Sequence, residues 1–210
     1  FYICLQSINL EQTWNEFLKA DPAWLFLAVF FNTCILGFWA ALWRLLLPKN
    51  ISVSFSRILQ ANSFMSTSCN TIPFPGGHAV GVMALARRAE VGHTVALSVL
   101  ALDQLMEGFA KIFILTLVAI FVPIPDRMGQ AIIVFVVLIG IFALTMFYLA
   151  HKKLSVQENK ETISFAGQLK NFVSRWSVHL EVLRDFRIFS LGLLLALVMM
   201  LAQTLGVWAV

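Results

Sequence analysis

Four long, predominantly apolar runs dominate the sequence, and they cover residues 23–47, 94–122, 130–150 and 188–210. A helix needs about 20 residues to cross the roughly 30 Å hydrocarbon core of a bilayer, so each run is long enough to span it. The runs are continuous and do not alternate with period two, which argues against a transmembrane barrel. Only 12% of the 210 residues are charged. The sequence therefore predicts an all-α fold, a polytopic integral membrane helical bundle.

We expect residues 1–210 to form a single transmembrane domain. The chain begins at Phe1 without a methionine and its last apolar run reaches Val210, so we expect a piece of a longer protein, truncated at both ends. Residues 164–184 repeat apolar side chains at three/four spacing with basic residues on other faces, which predicts an amphipathic helix. Such a helix either lies in the headgroup layer or packs against the bundle.

The charge and cysteine patterns exclude several classes of partner. The net charge of +4 and the pI of about 9.2 are typical of basic cytoplasmic loops that meet anionic headgroups. No basic, aromatic-interleaved soluble domain is present, so we expect no nucleic-acid partner. The three cysteines have no CxxC spacing and lie in apolar contexts, which indicates buried small side chains. We therefore expect no metal and no cofactor.

One stretch, CNTIPFPGGHAVG at residues 69–81, combines helix breakers with small polar residues between two apolar flanks. Prolines and glycines interrupt a helix, because proline lacks the backbone donor and glycine is conformationally free. The arms on either side, about 56–71 and 78–88, would each be roughly 17–24 Å long as helices. Neither arm alone crosses a hydrocarbon core of about 30 Å.

The distribution of Lys and Arg constrains how this stretch meets the membrane. These residues concentrate in the connections 44–57, 87–93 and 151–187. A single crossing by residues 58–86 would put the last two connections outside, against the positive-inside rule. If the stretch enters and returns on the same side, all three connections are cytoplasmic. The pattern favours a re-entrant broken-helix hairpin, about 56–89, entering from the cytoplasm; the alternative is two tilted, kinked full spans.

The tip of this hairpin contains candidate binding residues, Asn70, Pro75, Gly76, Gly77 and His78. The two glycines let the chain turn and let another group approach closely. A helix that begins near His78 directs unpaired backbone amides into the membrane, which suits an anionic phosphate or carboxylate. The alternative is that the cluster only turns the chain and that His78 is a hydrogen-bonded structural histidine.

The next helix carries four polar residues close together: Asp103, Gln104, Glu107 and Lys111. Asp103, Glu107 and Lys111 share one face, and a charge in a membrane span costs about 2.5–3.5 kcal/mol, so we expect pairing. Glu107 and Lys111 have the favourable order for an ion pair. Asp103 then remains for Arg87, Arg88, a proton or a substrate cation. The alternative is a structural ion-pair stripe between helices.

The run NTIPFPGGHAVGVMALARRAEVGHTVALSVLALDQLMEGFAKI at 70–112 resembles the signature of the flippase-like family, also called the lysylphosphatidylglycerol synthase transmembrane region. The resemblance extends more weakly over nearly the whole chain. It matches Pro75, Gly76 and Gly77 to the family's turn, and Asp103 and Glu107 to its acidic positions. Many members have Glu-Arg where this chain has Asp-Gln. The resemblance implies a multi-pass protein of the bacterial inner membrane, related to the flippase part of aminoacyl-phosphatidylglycerol synthases.

Three functions follow from these observations. The first is a flippase-like translocase, not an enzyme, that moves or binds polar lipids with phosphate-bearing or aminoacyl headgroups. Its candidate protein partners are a second copy of the chain and an envelope-synthesis enzyme. The second is a membrane lipid phosphatase, since PGGH at 75–78 is similar to the PSGH element of such enzymes, although glycine replaces the serine. The third is a non-catalytic accessory protein of cell-envelope synthesis.

Overall fold

The computed structural model describes residues 11, 15, 21–73, 75–121, 126–151 and 185–209. Within these ranges the chain forms six long or medium-length α-helices and no strand: α1 (Pro22–Leu46), α2 (Phe55–Thr71), α3 (Gly76–Arg88), α4 (His93–Phe121), α5 (Asp126–His151) and α6 (Phe186–Trp208). The predicted amphipathic helix at 164–184 lies outside the described residues.

Four of these helices, α1, α4, α5 and α6, are long and apolar enough to cross a membrane. They correspond to the four apolar runs of the sequence, with ends that differ from the predicted ones by at most four residues. The other two helices are shorter: α2 has 17 residues and α3 has 13 residues. The prediction of an all-α polytopic membrane protein is confirmed.

Helices α1 and α6 pack against each other and run antiparallel. At one end the rings of Trp24 and Trp208 meet edge to face with centroids 5.2 Å apart. At the other end Lys49, just after α1, forms an ion pair with Asp185 at 3.3 Å. Asp185 also caps α6, because its Oδ1 accepts a hydrogen bond from the Arg187 backbone N–H at 3.1 Å. The loop after α1 and the start of α6 therefore share one end of the bundle.

Helices α2 and α3 form a helical hairpin whose two outer ends lie together. Arg57 near the start of α2 pairs with Glu90 just after α3, with Nη1 and Oε1 3.1 Å apart. Arg88 donates to Gln60 at 3.4 Å, and its guanidinium lies 5.2 Å from the centroid of the Phe64 ring. The predicted hairpin is thus present as an arrangement of helices. Its entry into the membrane from the cytoplasm stays a prediction.

Close contact between the hairpin arms depends on the absence of side chains on α3. A Cβ added to Gly77 would lie 2.5 Å from Cys69 Cα, and one added to Gly81 would lie 2.5 Å from Met65 Sδ. No glycine in the described ranges has a positive φ. Gly77 and Gly81 are one helical turn apart, as in small-xxx-small packing motifs. The tip glycines were expected to turn the chain and to allow another group to approach closely. Close approach is present at Gly77, whereas no described glycine has left-handed backbone.

The centre of the bundle forms around the middle of α4, which packs against α1, α3, α5 and α6. Leu102, Leu105 and Met106 are fully buried there, together with Trp43 of α1. Most of the remaining large apolar side chains on α5 and on the outer face of α6 are exposed, as expected of helices that face lipid. Asp103, in the middle of α4, is buried in this core.

Candidate functional site

Asp103 is a carboxylate buried inside the bundle, with 1% of its surface exposed. Its Oδ1 accepts a hydrogen bond from Trp39 Nε1 of α1 at 3.1 Å. The two residues meet because α1 packs against α4 and because Trp39 faces inward on its helix. Asp103 is ten residues into α4, hence about 15 Å along its axis from His93.

The four polar residues predicted on α4 are linked into one row, which we call the polar stripe: Asp103, Gln104, Glu107 and Lys111. Gln104 Nε2 lies 3.5 Å from Asp103 Oδ2 and 3.4 Å from Glu107 Oε2. Glu107 Oε1 in turn pairs with Lys111 Nζ at 2.7 Å. The predicted Glu107–Lys111 ion pair is therefore present. Exposure increases along the row, from the buried Asp103 to the Lys111 side chain at 41%.

Two further buried polar groups were not predicted from the sequence. The Trp43 indole interacts with the Asp103 carboxylate more weakly than Trp39 does, and its Nε1 does not reach strict hydrogen-bond geometry with any described residue. Asn62 of α2 is fully buried, and neither of its side-chain amide atoms is paired among those residues. The only signal in the sequence was the position of Asn62 on the same helical face as Ile58 and Met65.

The hairpin tip forms a second group. Asn70 Nδ2 donates to the Ser66 carbonyl of its own helix at 3.0 Å, and His78 Nδ1 lies 3.8 Å from Cys69 Sγ across the arms. Pro75 caps α3 without a side-chain hydrogen bond, and the first turn of α3 has no acidic residue. The positive end of the α3 dipole is therefore not neutralised by a carboxylate of that turn.

The basic residues form a third group at the base of the hairpin. Arg87 and Arg88 are in the last turn of α3 and exposed, about 15 Å along the helix from His78. Arg88 contacts Gln60 and Phe64, so it is directed to α2 and not to Asp103. The predicted site residues are thus divided among the tip, the base and the polar stripe.

The described residues contain no cluster of three or more His, Cys, Asp or Glu side chains that could hold a metal ion. The four spans and the buried carboxylate define a multi-pass helical membrane protein with polar chemistry in its interior. The family model for the "Lysylphosphatidylglycerol synthase TM region" matches residues 1–210. The chain belongs to this family, as its resemblance indicated. Searches of curated proteins and of solved structures gave no match.

Proposed function

We propose that the protein is a flippase-like translocase that moves polar lipids between the leaflets of the bacterial inner membrane. Its family associates it with lipid and cell-envelope processes in membranes. The finer assignment depends chiefly on one observation, the polar stripe that links the buried Asp103 to the half-exposed Lys111. A polar headgroup that crosses a bilayer needs polar partners at membrane depth. Charged side chains in a membrane span are energetically costly, so their presence there indicates a function.

The hairpin supports the same proposal. Its arms of 17 residues and 13 residues correspond to about 25 Å and 20 Å of helix, less than a hydrocarbon core of about 30 Å. In the proposed arrangement the hairpin enters from the cytoplasm and returns, and the start of α3 lies within the membrane. There its unneutralised amides would attract the phosphate of a headgroup, while the polar stripe would receive the rest of the headgroup.

Lipid transfer in proteoliposomes tests this function. The purified protein is reconstituted with fluorescent phosphatidylglycerol, and the fraction of lipid that a membrane-impermeant quencher reaches is followed over time. We expect the Asp103→Asn/Glu107→Gln protein to transfer lipid at least about tenfold more slowly than wild type, since hydrogen bonds to charged groups contribute about 1.5–3 kcal/mol. Both changes preserve side-chain shape and remove charge, so the fold is expected to persist.

Glu90→Gln is the matched control for this experiment. Glu90 is an exposed carboxylate that pairs with Arg57 at the base of the hairpin, and exposed ion pairs contribute little. Its loss should leave the transfer rate unchanged. Equal rates in wild type and the double variant would refute the role of the polar stripe. No transfer by wild type above protein-free vesicles would refute translocation and favour an accessory role, which co-purification with an envelope-synthesis enzyme would then support.

A further inference from the structure

Asp103 is buried in the bundle, and the groups that contact its carboxyl are neutral. Its Oδ1 accepts the Trp39 Nε1–H at 3.1 Å, and its Oδ2 receives the Gln104 amide at 3.5 Å, the outer limit of a hydrogen bond. Trp43 adds a weaker interaction. A carboxyl group stays ionised inside a protein when a cation or two to three backbone N–H groups compensate its charge. Among the described residues, Asp103 has neither.

The one cation of the polar stripe is already engaged elsewhere. Lys111 Nζ lies 2.7 Å from Glu107 Oε1, and Lys111 is eight residues from Asp103, about 12 Å along the helix axis. Glu107 is one turn from Asp103 and is linked to it through Gln104. When two carboxyl groups share a site, one of them retains a proton, because like charges disfavour each other's ionisation. Glu107 has the lysine, so the proton belongs on Asp103.

The helices that pack against α4 bring no compensating charge to Asp103. Three of them have apolar stretches free of Asp, Glu, Lys, Arg and His, namely 22–43 of α1, 128–148 of α5 and 188–208 of α6. The basic side chains described on α1, α3 and α6 make no ion pair with Asp103, and they lie in the first or last turns of their helices: Arg44, His78, Arg87, Arg88 and Arg187. Arg87 and Arg88, two partners expected for Asp103 from the sequence, are therefore not its partners in this structure.

We propose that Asp103 is an occluded proton-binding site, which carries a proton on Oδ2 in this conformation and releases it when the polar stripe opens to water. Binding takes the proton from water and converts the carboxylate to a carboxyl, and release returns the proton to water, so no other reactant is needed. Oδ1 remains free to accept the hydrogen bond from Trp39 in both forms. The site stands on these contacts alone.

The consequence of the site for transport rests on the proposed lipid-transfer function. If the open stripe receives a headgroup and the closed stripe holds a proton, each cycle exchanges one for the other across Asp103. The distribution of lipid between the leaflets then depends on the proton gradient. The proposal therefore specifies the energy coupling of the translocase.

Infrared spectroscopy tests the site without any transport. A protonated carboxyl has a C=O stretching band that is separate from the bands of carboxylates and amides, and solvent-exposed Asp and Glu are ionised at pH 7. We expect purified wild type to show this band at pH 7 and Asp103→Asn to lack it. Glu107→Gln and Asp185→Asn are the matched controls, because each removes a carboxylate that is paired with a lysine. Both should retain the band.

Isotope labelling keeps the test decisive even where Asp103→Asn does not fold. The chain has four aspartates, Asp21, Asp103, Asp126 and Asp185. Carbon-13 in the aspartate carboxyl groups of wild type should shift the band to lower frequency, whereas the same label in glutamate should leave it in place. Asp21 and Asp185 accept helix-capping hydrogen bonds at exposed sites, and Asp126→Asn tests the fourth aspartate directly.

A pH gradient across proteoliposomes tests the coupling. Trace fluorescent phosphatidylglycerol is added to vesicles that contain wild type, and its leaflet distribution is read at equilibrium with the impermeant quencher. With one proton exchanged per headgroup, a difference of one pH unit corresponds to at most about a tenfold ratio between the leaflets. We expect an asymmetry that approaches this ratio, reverses when the gradient is reversed and disappears with a protonophore. Protein-free vesicles under the same gradient are the control.

The two measurements fail separately. The absence of a protonated-carboxyl band in wild type at pH 7 would overturn the proton site, and so would a band that survives Asp103→Asn and ignores the aspartate label. A band that belongs to Asp103, together with an even lipid distribution under the gradient, would keep the site and reject the coupling. Failure of wild type to transfer lipid at all would reject the translocase, while the infrared result would still decide whether Asp103 holds a proton.

Discussion

The contact between the hairpin arms gives the most exacting prediction, for the substitution Gly77→Ala. The added Cβ would lie 2.5 Å from Cys69 Cα, 2.7 Å from its backbone N and 2.8 Å from its Sγ. Backbone atoms cannot rotate away, so the arms must separate by about 0.9 Å at this point to restore an ordinary contact of 3.4 Å. Overpacking of this kind costs about 1–3 kcal/mol, whereas alanine gains about 1 kcal/mol over glycine in a helix.

The overpacking cost should lie in the upper part of its range because the obstacle is backbone. After the helix-propensity gain of alanine is subtracted, we expect Gly77→Ala to lower the free energy of unfolding by about 1–2 kcal/mol. Gly81→Ala should cost less. Its Cβ meets the Met65 side chain, at 2.5 Å from Sδ and 2.6 Å from Cγ, and the flexible thioether of methionine can move aside.

Unfolding in detergent, followed by tryptophan fluorescence, measures these differences. Gly37→Ala and Gly140→Ala are matched controls, because a Cβ at either position meets nothing within 4 Å. Each control should be as stable as wild type or gain up to about 1 kcal/mol. The order of stability should be controls first, then Gly81→Ala, then Gly77→Ala. A Gly77→Ala protein as stable as Gly37→Ala would refute the reasoning that the missing Cβ allows the arms to close.

Two other predictions concern hydrogen bonds. Trp39→Phe removes the donor that lies 3.1 Å from Asp103 Oδ1, so the free energy of unfolding should fall by about 1–3 kcal/mol. In an Asp103→Leu background the same substitution should cause no such loss. A loss that persists there would mean that ring packing is responsible. The hydrogen bond from Lys49 lowers the pKa of Asp185, with smaller contributions from backbone N–H groups. Above about pH 5, wild type should therefore have a higher unfolding temperature than Asp185→Asn. It should lose this advantage as the pH falls below about 4, through the lowered pKa of Asp185. A difference that does not depend on pH would contradict this prediction.

The spans could be predicted from the sequence because their formation depends on length and hydropathy alone. Predicted boundaries of 23–47 and 94–122 compare with the observed α1 (Pro22–Leu46) and α4 (His93–Phe121). Local chemistry explains the agreement. Asp21 accepts a hydrogen bond from the Ala23 N–H at 2.9 Å, and proline occupies the first helical position. The start of α1 is thus specified by residues that are adjacent in sequence.

The pairing of side chains could be predicted only where both partners are on one helix. Glu107–Lys111 follows from spacing and is present at 2.7 Å. The Trp39–Asp103 hydrogen bond joins residues 64 positions apart, and it depends on how α1 and α4 are rotated about their axes. Asn62 was overlooked for the same reason. Its burial requires α2 to pack between neighbouring helices, which no pattern within α2 specifies.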